Sequence, residues 1–203
     1  MEDPHKPLLG RIRDLLFLYG TKSITLDDIA SRMGISKKTI YSCCPDKKNL
    51  VDRIVVDYLS SHRADAERVR AESRHAIDEV LQMARLARAR MEQVSPAFLF
   101  DLNKYYPDIW ARFEQYRTQE IFGQVVDVIK RGQQEGLFRT DLDTEIVAAM
   151  HLQHIRLLTE PGQQPRPERP VGDLIRHIIS IFLQGIVTRK GLDVMSQLEK
   201  DLS

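Results

Sequence analysis

The sequence predicts an all-α protein: an N-terminal three-helix domain built around a helix-turn-helix, then a larger helical domain. Three observations carry this. Residues 25–50, TLDDIASRMGISKKTIYSCCPDKKNL, hold two short helical segments on either side of a glycine. After them, apolar residues keep recurring at helical spacing. Helix-start signals at Ser95-Pro96, Pro107 and Asp143 divide that remainder into segments.

Taken in order, residues 7–20 form a first helix, with Leu8, Ile12, Leu15, Leu16 and Tyr19 on one face and Gly20 closing it. Thr25 is a good N-cap for the second, and Asp28 follows three residues later, where a carboxylate meets unpaired N–H groups. Ile29, Ala30 and Met33 make its apolar stripe. Gly34 ends it, because glycine takes the left-handed conformation that a reversal needs. Ser36 caps a third helix, anchored by Ile40 and Tyr41. Two helices that cross closely want a small residue at the crossing, here Ala30. They also want a glycine four residues on and a branched apolar residue, Ile40, six after that. Such a motif lays its second helix in the DNA major groove. The exposed side of 36–48 carries Ser36, Lys37, Lys38, Thr39, Ser42, Lys47 and Lys48, suited to phosphates and base edges. The DNA-contacting candidates are Thr25, Ser36, Lys37, Lys38, Thr39, Tyr41, Ser42 and Lys47. A solvated helical hairpin with ordinary surface lysines is the plainer alternative.

Pro45 and Asp46 start a fourth helix with Leu50, Val51, Ile54, Val55, Tyr58 and Leu59 on its apolar face. Residues 60–94 are charged, with a thinner stripe, and read as two helices broken near Glu72 to His75. A short aromatic segment, 96–106, precedes a long helix from Pro107 to Gly136. Residues 137–142 connect to a helix over 144–159 capped by Asp143. The stretch 160–172, rich in proline and glycine, is the clearest loop. The last main helix, 173–190, is apolar almost all round and ends at Gly191. A helix like that needs partners on two sides. The second partner is either a second subunit or the interior of a monomer.

Charge is nearly balanced overall at +1, but not evenly spread. Residues 1–50 hold nine Lys and Arg against six Asp and Glu, and residues 32–48 five against one. That local excess fits a reader of DNA rather than a polycationic coat. With 203 residues, a domain over 1–50 and another over 51–203 can both be accommodated, without a disulfide staple. Cys43 and Cys44 are adjacent, so they fit a reducing compartment. Cys44 reads as a small core residue and Cys43 as partly exposed, and a thiol near lysines also leaves a redox switch open. No run of 18 apolar residues and no signal-peptide pattern occurs, so the expected place is the cytoplasm, at the nucleoid, without membrane association.

Catalytic patterns are missing: no Gly-rich phosphate loop, no G-x-S-x-G and no C-x-x-C. Glu72 and His75 make one E-x-x-H where a di-iron bundle needs two. The expectation is a protein that is not an enzyme and takes no cofactor or metal. His151 and His154, three apart, line or border a pocket or hydrogen-bond within the core. The aromatic and Met content of 83–122 reads equally as core or as a ligand cavity.

Residues 25–50 resemble the signature of the tetracycline-repressor (TetR) family, T-x-x-D-I-A-x-x-A-G-V-S-x-x-T-[IL]-Y-x-x-F-x-x-K-x-x-L. Thr25, Asp28, Ile29, Ala30, Gly34, Ile35, Ser36, Thr39, Ile40, Tyr41, Lys47 and Leu50 stand in matching places. Met33 departs where the family prefers Ala, and Cys44 where it has Phe. The resemblance implies a homodimeric, ligand-responsive repressor released from a palindromic double-stranded DNA operator by a small-molecule effector. It implies that the helix after Asp46 transmits the signal. The last two helices, 144–159 and 173–190, would form a four-helix bundle with a second copy, through Ile155, Leu174, Ile175, Ile178, Ile179, Phe182 and Ile186. It also favours a pocket, for which Phe98, Tyr105, Trp110, Phe113, Phe122, Met150, His151 and His154 are the candidates. A helical DNA-organising protein without a small-molecule response, and a helical enzyme or carrier with an incidental helix-turn-helix, are the competing readings.

Overall fold

The computed structural model describes residues 5–160 and 169–200. Most of the loop expected over 160–172 therefore lies outside the described residues. Helices α1 (Lys6–Tyr19), α2 (Leu26–Met33), α3 (Lys37–Tyr41) and α4 (Lys47–Glu72) come first. Next are α5 (Ala76–Met91), α6 (Pro96–Tyr105), α7 (Pro107–Gln115), a π-helical turn (Tyr116–Ile121) and α8 (Phe122–Gln134). Then come α9 (Thr144–Thr159), α10 (Val171–Ile186) and α11 (Arg189–Lys200). Among the described residues there is no strand, only an isolated antiparallel bridge between Phe138 and Val187.

The chain forms two compact units, and their division is not the one expected at residue 50. One comprises residues 1–62 and 91–114, the other residues 63–90 and 115–203. In the first, α1 is buried through Leu9, Ile12, Leu16 and Phe17. The Phe17 ring meets Phe98 of α6 edge-on at 4.7 Å, and the backbone N–H of Ser95 donates to the Phe17 carbonyl. Asp101 of α6, also buried, accepts from the Lys22 N–H at 2.7 Å and the Thr21 hydroxyl at 3.3 Å. Gly20 permits this approach: its φ is 80°, and a Cβ there would lie 2.9 Å from the Asp101 carboxylate. Helix α6 is capped by Ser95, as the Ser-Pro signal predicts.

In the second unit the core joins α5, α8, α9 and α10 through Ile77, Val80, Ile129, Phe138, Ala148, Phe182 and Leu183. Asp143 caps α9, accepting from the N–H groups of Glu145 and Ile146. Arg131 of α8 donates to Glu79, Glu135 and Ser73, and Glu135 accepts from the Ala76 N–H. This network holds the α4–α5 break at the place where the sequence puts one.

Three boundaries differ from expectation. The charged segment from 60 to 72 continues α4 rather than forming its own helix. The long helix from Pro107 contains the π turn, which buries Tyr116 and Arg117. Apolar periodicity does not register one extra residue per turn. Helix α10 stops at Ile186 instead of 190 because Val187 becomes extended to pair with Phe138. The bonds Arg139 N–H to Ile186 O and Thr188 N–H to Leu137 O fix that pairing. Gly191 is thus no helix end: it lies within α11, where a Cβ would sit 2.4 Å from the Leu137 carbonyl oxygen.

Two helical glycines of α8 give a matched test. A Cβ on Gly132 would lie 2.1 Å from the Phe138 ring, whereas one on Gly123 meets nothing within 4 Å. Gly132→Ala is expected to cost about 1–3 kcal/mol in urea unfolding by overpacking. Gly123→Ala is expected to gain about 0.5–1 kcal/mol from helix propensity. Equal stabilities for the two variants would refute the packing at Phe138.

Candidate nucleic-acid interface and effector region

Local bonds build the helix-turn-helix residue by residue. The Thr25 hydroxyl accepts from the Asp28 N–H at 3.1 Å, and the Asp28 carboxylate accepts from the Thr25 N–H at 2.8 Å. This reciprocal cap starts α2 and holds the Asp28 carboxyl below its ordinary pKa, chiefly through the Thr25 hydroxyl. Gly34 reverses the chain in the left-handed region, with φ 65° and ψ 32°. Ser36 caps α3 by accepting from the Thr39 N–H. Ala30 and Ile40 are buried at the crossing. On the other side, Lys37, Lys38, Thr39, Tyr41 and Ser42 are exposed.

The polar side chains of this face are not equally available. Lys37 is paired with Asp27 at 2.6 Å. The Ser42 hydroxyl donates to the Thr39 carbonyl. The Thr25 hydroxyl donates to Asp28 at 2.6 Å. Lys38 enters no ion pair among the described residues, and Tyr41 is 49% exposed. Lys47 is in a different situation from the one expected of it. Its ammonium donates to the carbonyls of Thr21 and Ile24, and burial pushes its pKa down, with the Lys22 charge second. It ties the start of α4 to the α1–α2 connection, which periodicity could not have revealed. Asp46 caps that start through Asn49, and Lys48 pairs with Asp108 at 2.8 Å. Cys44 is buried, its thiol raised by desolvation, which opposes the redox reading. Cys43 is half-buried and donates to the Ile40 carbonyl.

The eight residues expected to line one pocket occupy different settings. In the first unit, Phe98 is core against Phe17, Tyr105 is exposed beneath the Lys22 ammonium, and Trp110 is half-buried beside Phe113. In the second, Phe122 packs against the core. Met150 is 59% exposed. His151 is buried, with its ring 4.0 Å from that of Phe182, and burial lowers its pKa to about 4. His154 lines a cavity of about 330 Å³ together with Gln153, Arg156, Leu157 and Glu160.

The expected dimer residues need a similar correction. Ile175, Phe182 and Ile186 are buried in their own unit, so they cannot also form an outer face. Ile179 packs against that core, and Ile155, Leu174 and Ile178 are half-buried. The outward apolar side chains are Ile146 and Met150 on α9 and Ile181 on α10, the last 65% exposed. Periodicity could not choose among faces because nearly every position of α10 is apolar.

No protein-family model matches the chain. An uncharacterised HTH-type transcriptional regulator of Bacillus subtilis (strain 168), YvaF, is 22% identical over 172 residues, spanning 84% of this chain and 90% of that protein. Among solved structures, a TetR-family regulator from Agrobacterium tumefaciens superposes with a TM-score of 0.69 at 15% identity, over 90% of this chain and 97% of that one. SCO4454, a TetR-family regulator from Streptomyces coelicolor, gives 0.68 at 18%, over 90% and 95%. The ketosteroid transcriptional regulator KstR2 of Mycobacterium tuberculosis gives 0.59 at 20%, over 93% and 97%.

Two outcomes follow for solution work. Lys47→Ala removes the donor to two carbonyls, so it should lower stability by about 1–3 kcal/mol. Calorimetry checks this, and an unchanged melting temperature with a salt slope of DNA binding lowered by about one would return Lys47 to the phosphate role. His151, depressed from 6.5 to about 4, stays neutral when folded while the unfolded chain takes up a proton. Its contribution is present above pH 6.5 and is lost as pH falls toward 4, reaching about 3 kcal/mol. Melts of the protein and of His151→Leu across pH 4–7 should show the smaller pH slope in the variant, and parallel slopes would discard the buried neutral imidazole.

Proposed function

We propose that this chain, which has the fold of the TetR-family transcriptional regulators, is a homodimeric DNA-binding transcriptional regulator. It reads a palindromic operator and acts as a repressor released by a small molecule. The observation that carries the reading is the α2–Gly34–α3 unit. Its capping, its left-handed reversal and its buried Ala30 and Ile40 leave one face of α3 outward, with Lys38, Thr39 and Tyr41 on it. Such a helix enters the major groove, where Lys38 and Thr39 meet base edges, while Ser36, Lys37 and Ser42 serve phosphates.

Dimerisation supplies the second half-site. Ile146, Met150 and Ile181 together expose large apolar side chains on two adjacent helices, with Leu174 and Ile178 half-buried beside Ile181. A patch of that kind is better covered than left in water. Two recognition helices related by a two-fold axis then read half-sites about one DNA turn apart, or a multiple of it. Among the described residues no helix is long and apolar enough to cross a membrane. On this reading the protein works at the nucleoid, in the cytoplasm.

The direct experiment is selection of bound genomic fragments followed by footprinting. A two-fold symmetric footprint is expected, and binding by monomers to a single asymmetric site would end the dimeric reading. Uniform binding along all DNA would favour a DNA-organising role instead. The dimer face has its own test. Ile181→Glu should give folded monomers in sedimentation equilibrium with weakened operator binding, because an interface carboxylate has no partner. Phe182→Glu should instead unfold the second unit, since that ring is only 7% exposed. A dimeric Ile181→Glu at micromolar concentration would move the interface elsewhere.

A further inference from the structure

One aromatic side chain outside the helix-turn-helix collects two lysines. Tyr105 closes α6 and is 42% exposed. The Lys22 ammonium stands 4.3 Å from its ring centroid, and the Lys104 ammonium 5.4 Å from it. Lys104 also lies 5.3 Å from the ring centroid of Phe100, which is exposed as well. The two ammonium groups are thus no more than about 10 Å apart, roughly a Debye length in 0.1 M salt, so each feels the other.

Neither charge is matched locally. Lys22 and Lys104 are exposed and enter no ion pair among the described residues. The carboxylates at this end of the unit are engaged elsewhere. Asp101 is buried and accepts from the Thr21 hydroxyl and the Lys22 backbone N–H. Asp28 caps α2 with Thr25, Asp46 caps α4 through Asn49, and Asp108 pairs with Lys48. A cation–π contact orients an ammonium without neutralising it. The ammonium keeps N–H donors in water, and the exposed Tyr105 adds a phenolic hydroxyl to them.

Position then says what meets these donors. Lys22 lies three residues before Thr25, no more than about 11 Å of chain from the cap of α2. Lys47 donates to the carbonyls of Thr21 and Ile24, so the segment carrying Lys22 is tied to the start of α4 on both of its sides. The bond from the Lys22 N–H to Asp101 ties it to α6 as well. In a helix-turn-helix the first helix crosses the sugar-phosphate backbone while the second enters the groove. The start of α2 belongs at the backbone, where helix N-termini meet phosphates, and Lys22 brings Tyr105 and Lys104 to the same place.

We propose that Lys22 and Lys104 bind DNA phosphates bordering the half-site read by α3, with Tyr105 as the residue that positions both. The surface is shared between the α1–α2 connection and the end of α6, so residues 91–114 contribute directly to DNA affinity. It rests on the DNA-binding reading above. Contacts of this kind set affinity and register and carry no base information.

The full-length protein is titrated with a random-sequence duplex and with a selected genomic fragment, across about 50–200 mM salt. Lys22→Ala and Lys104→Ala should each weaken binding to both DNAs by about tenfold and lower the salt slope by about one per protomer. Phosphate ethylation interference should lose its outermost positions in both variants. Sequence preference should stay unchanged, in contrast to Lys38→Ala. Tyr105→Ala should lose part of both contacts, and Tyr105→Phe should retain them. Circular dichroism checks each fold, and Lys22→Gln or Lys104→Gln replaces an alanine variant that unfolds. An unchanged salt slope in either lysine variant overturns this surface, and leaves the helix-turn-helix reading standing if Lys38→Ala still alters sequence preference. If the unmodified protein binds neither DNA, the DNA-binding reading and this surface fall together. Lysine variants that keep DNA binding but lose binding to phosphatidylglycerol vesicles assign the surface to a membrane and overturn the proposal.

Discussion

The reversal at Gly34 is the constraint on which the helix-turn-helix of the molecule depends. Two helices must turn sharply against each other within a few residues, and a left-handed φ of 65° does it at a position with no side chain. Everything placed outward on α3 follows from that angle. With Ile40 held inside at 1% exposure, the helix phase leaves Lys38, Thr39 and Tyr41 facing solvent. A bulkier residue at 34 would strain the turn and rotate the whole set.

Much of the polarity around this motif serves the motif itself. Thr25 and Asp28 satisfy each other at the start of α2, Ser36 caps α3, and Lys47 binds two carbonyls of the α1–α2 connection. Such bonds are short-range and hold side chains in one rotamer, so the exposed side of α3 is presented in a fixed pattern. They also mean that a positively charged residue near the motif cannot be assumed to meet phosphate. Lys38 and Lys47 look alike in sequence and differ in structure because only one of them has backbone oxygens within reach.

The fold was legible where local chemistry dictates it. Thr25, Gly34, Ser36, Ser95 and Asp143 each act at a cap or turn, and the structure uses all of them as such. Legibility ended where tertiary contacts overrule periodicity. Nothing local marks Val187 as the point where a run of apolar residues leaves the helix, since Phe138, far away in sequence, causes it. The buried Arg117 is invisible for the same reason: its partners Thr159 and Glu160 lie over forty positions away. On α10, almost uniform apolarity concealed which face is core, so Phe182 and Ile181 could not be told apart. The resemblance at 25–50 identified a kind of surface, but carried no information about cavity chemistry near His154.

The first unit draws on two separate stretches of chain, with residues 91–114 folded together with residues 1–62. Asp101 is the buried carboxylate that joins them, accepting from Lys22 and Thr21. The consequence concerns modularity. A fragment cut after the helix-turn-helix would lose the acceptor for those groups and expose Phe17, whose ring rests on Phe98. The helix-turn-helix is therefore not a detachable cassette. A chimera that grafts it onto another protein of this fold must carry α6 and α7 along, and homologous exchange would be tolerated only where both stretches move together.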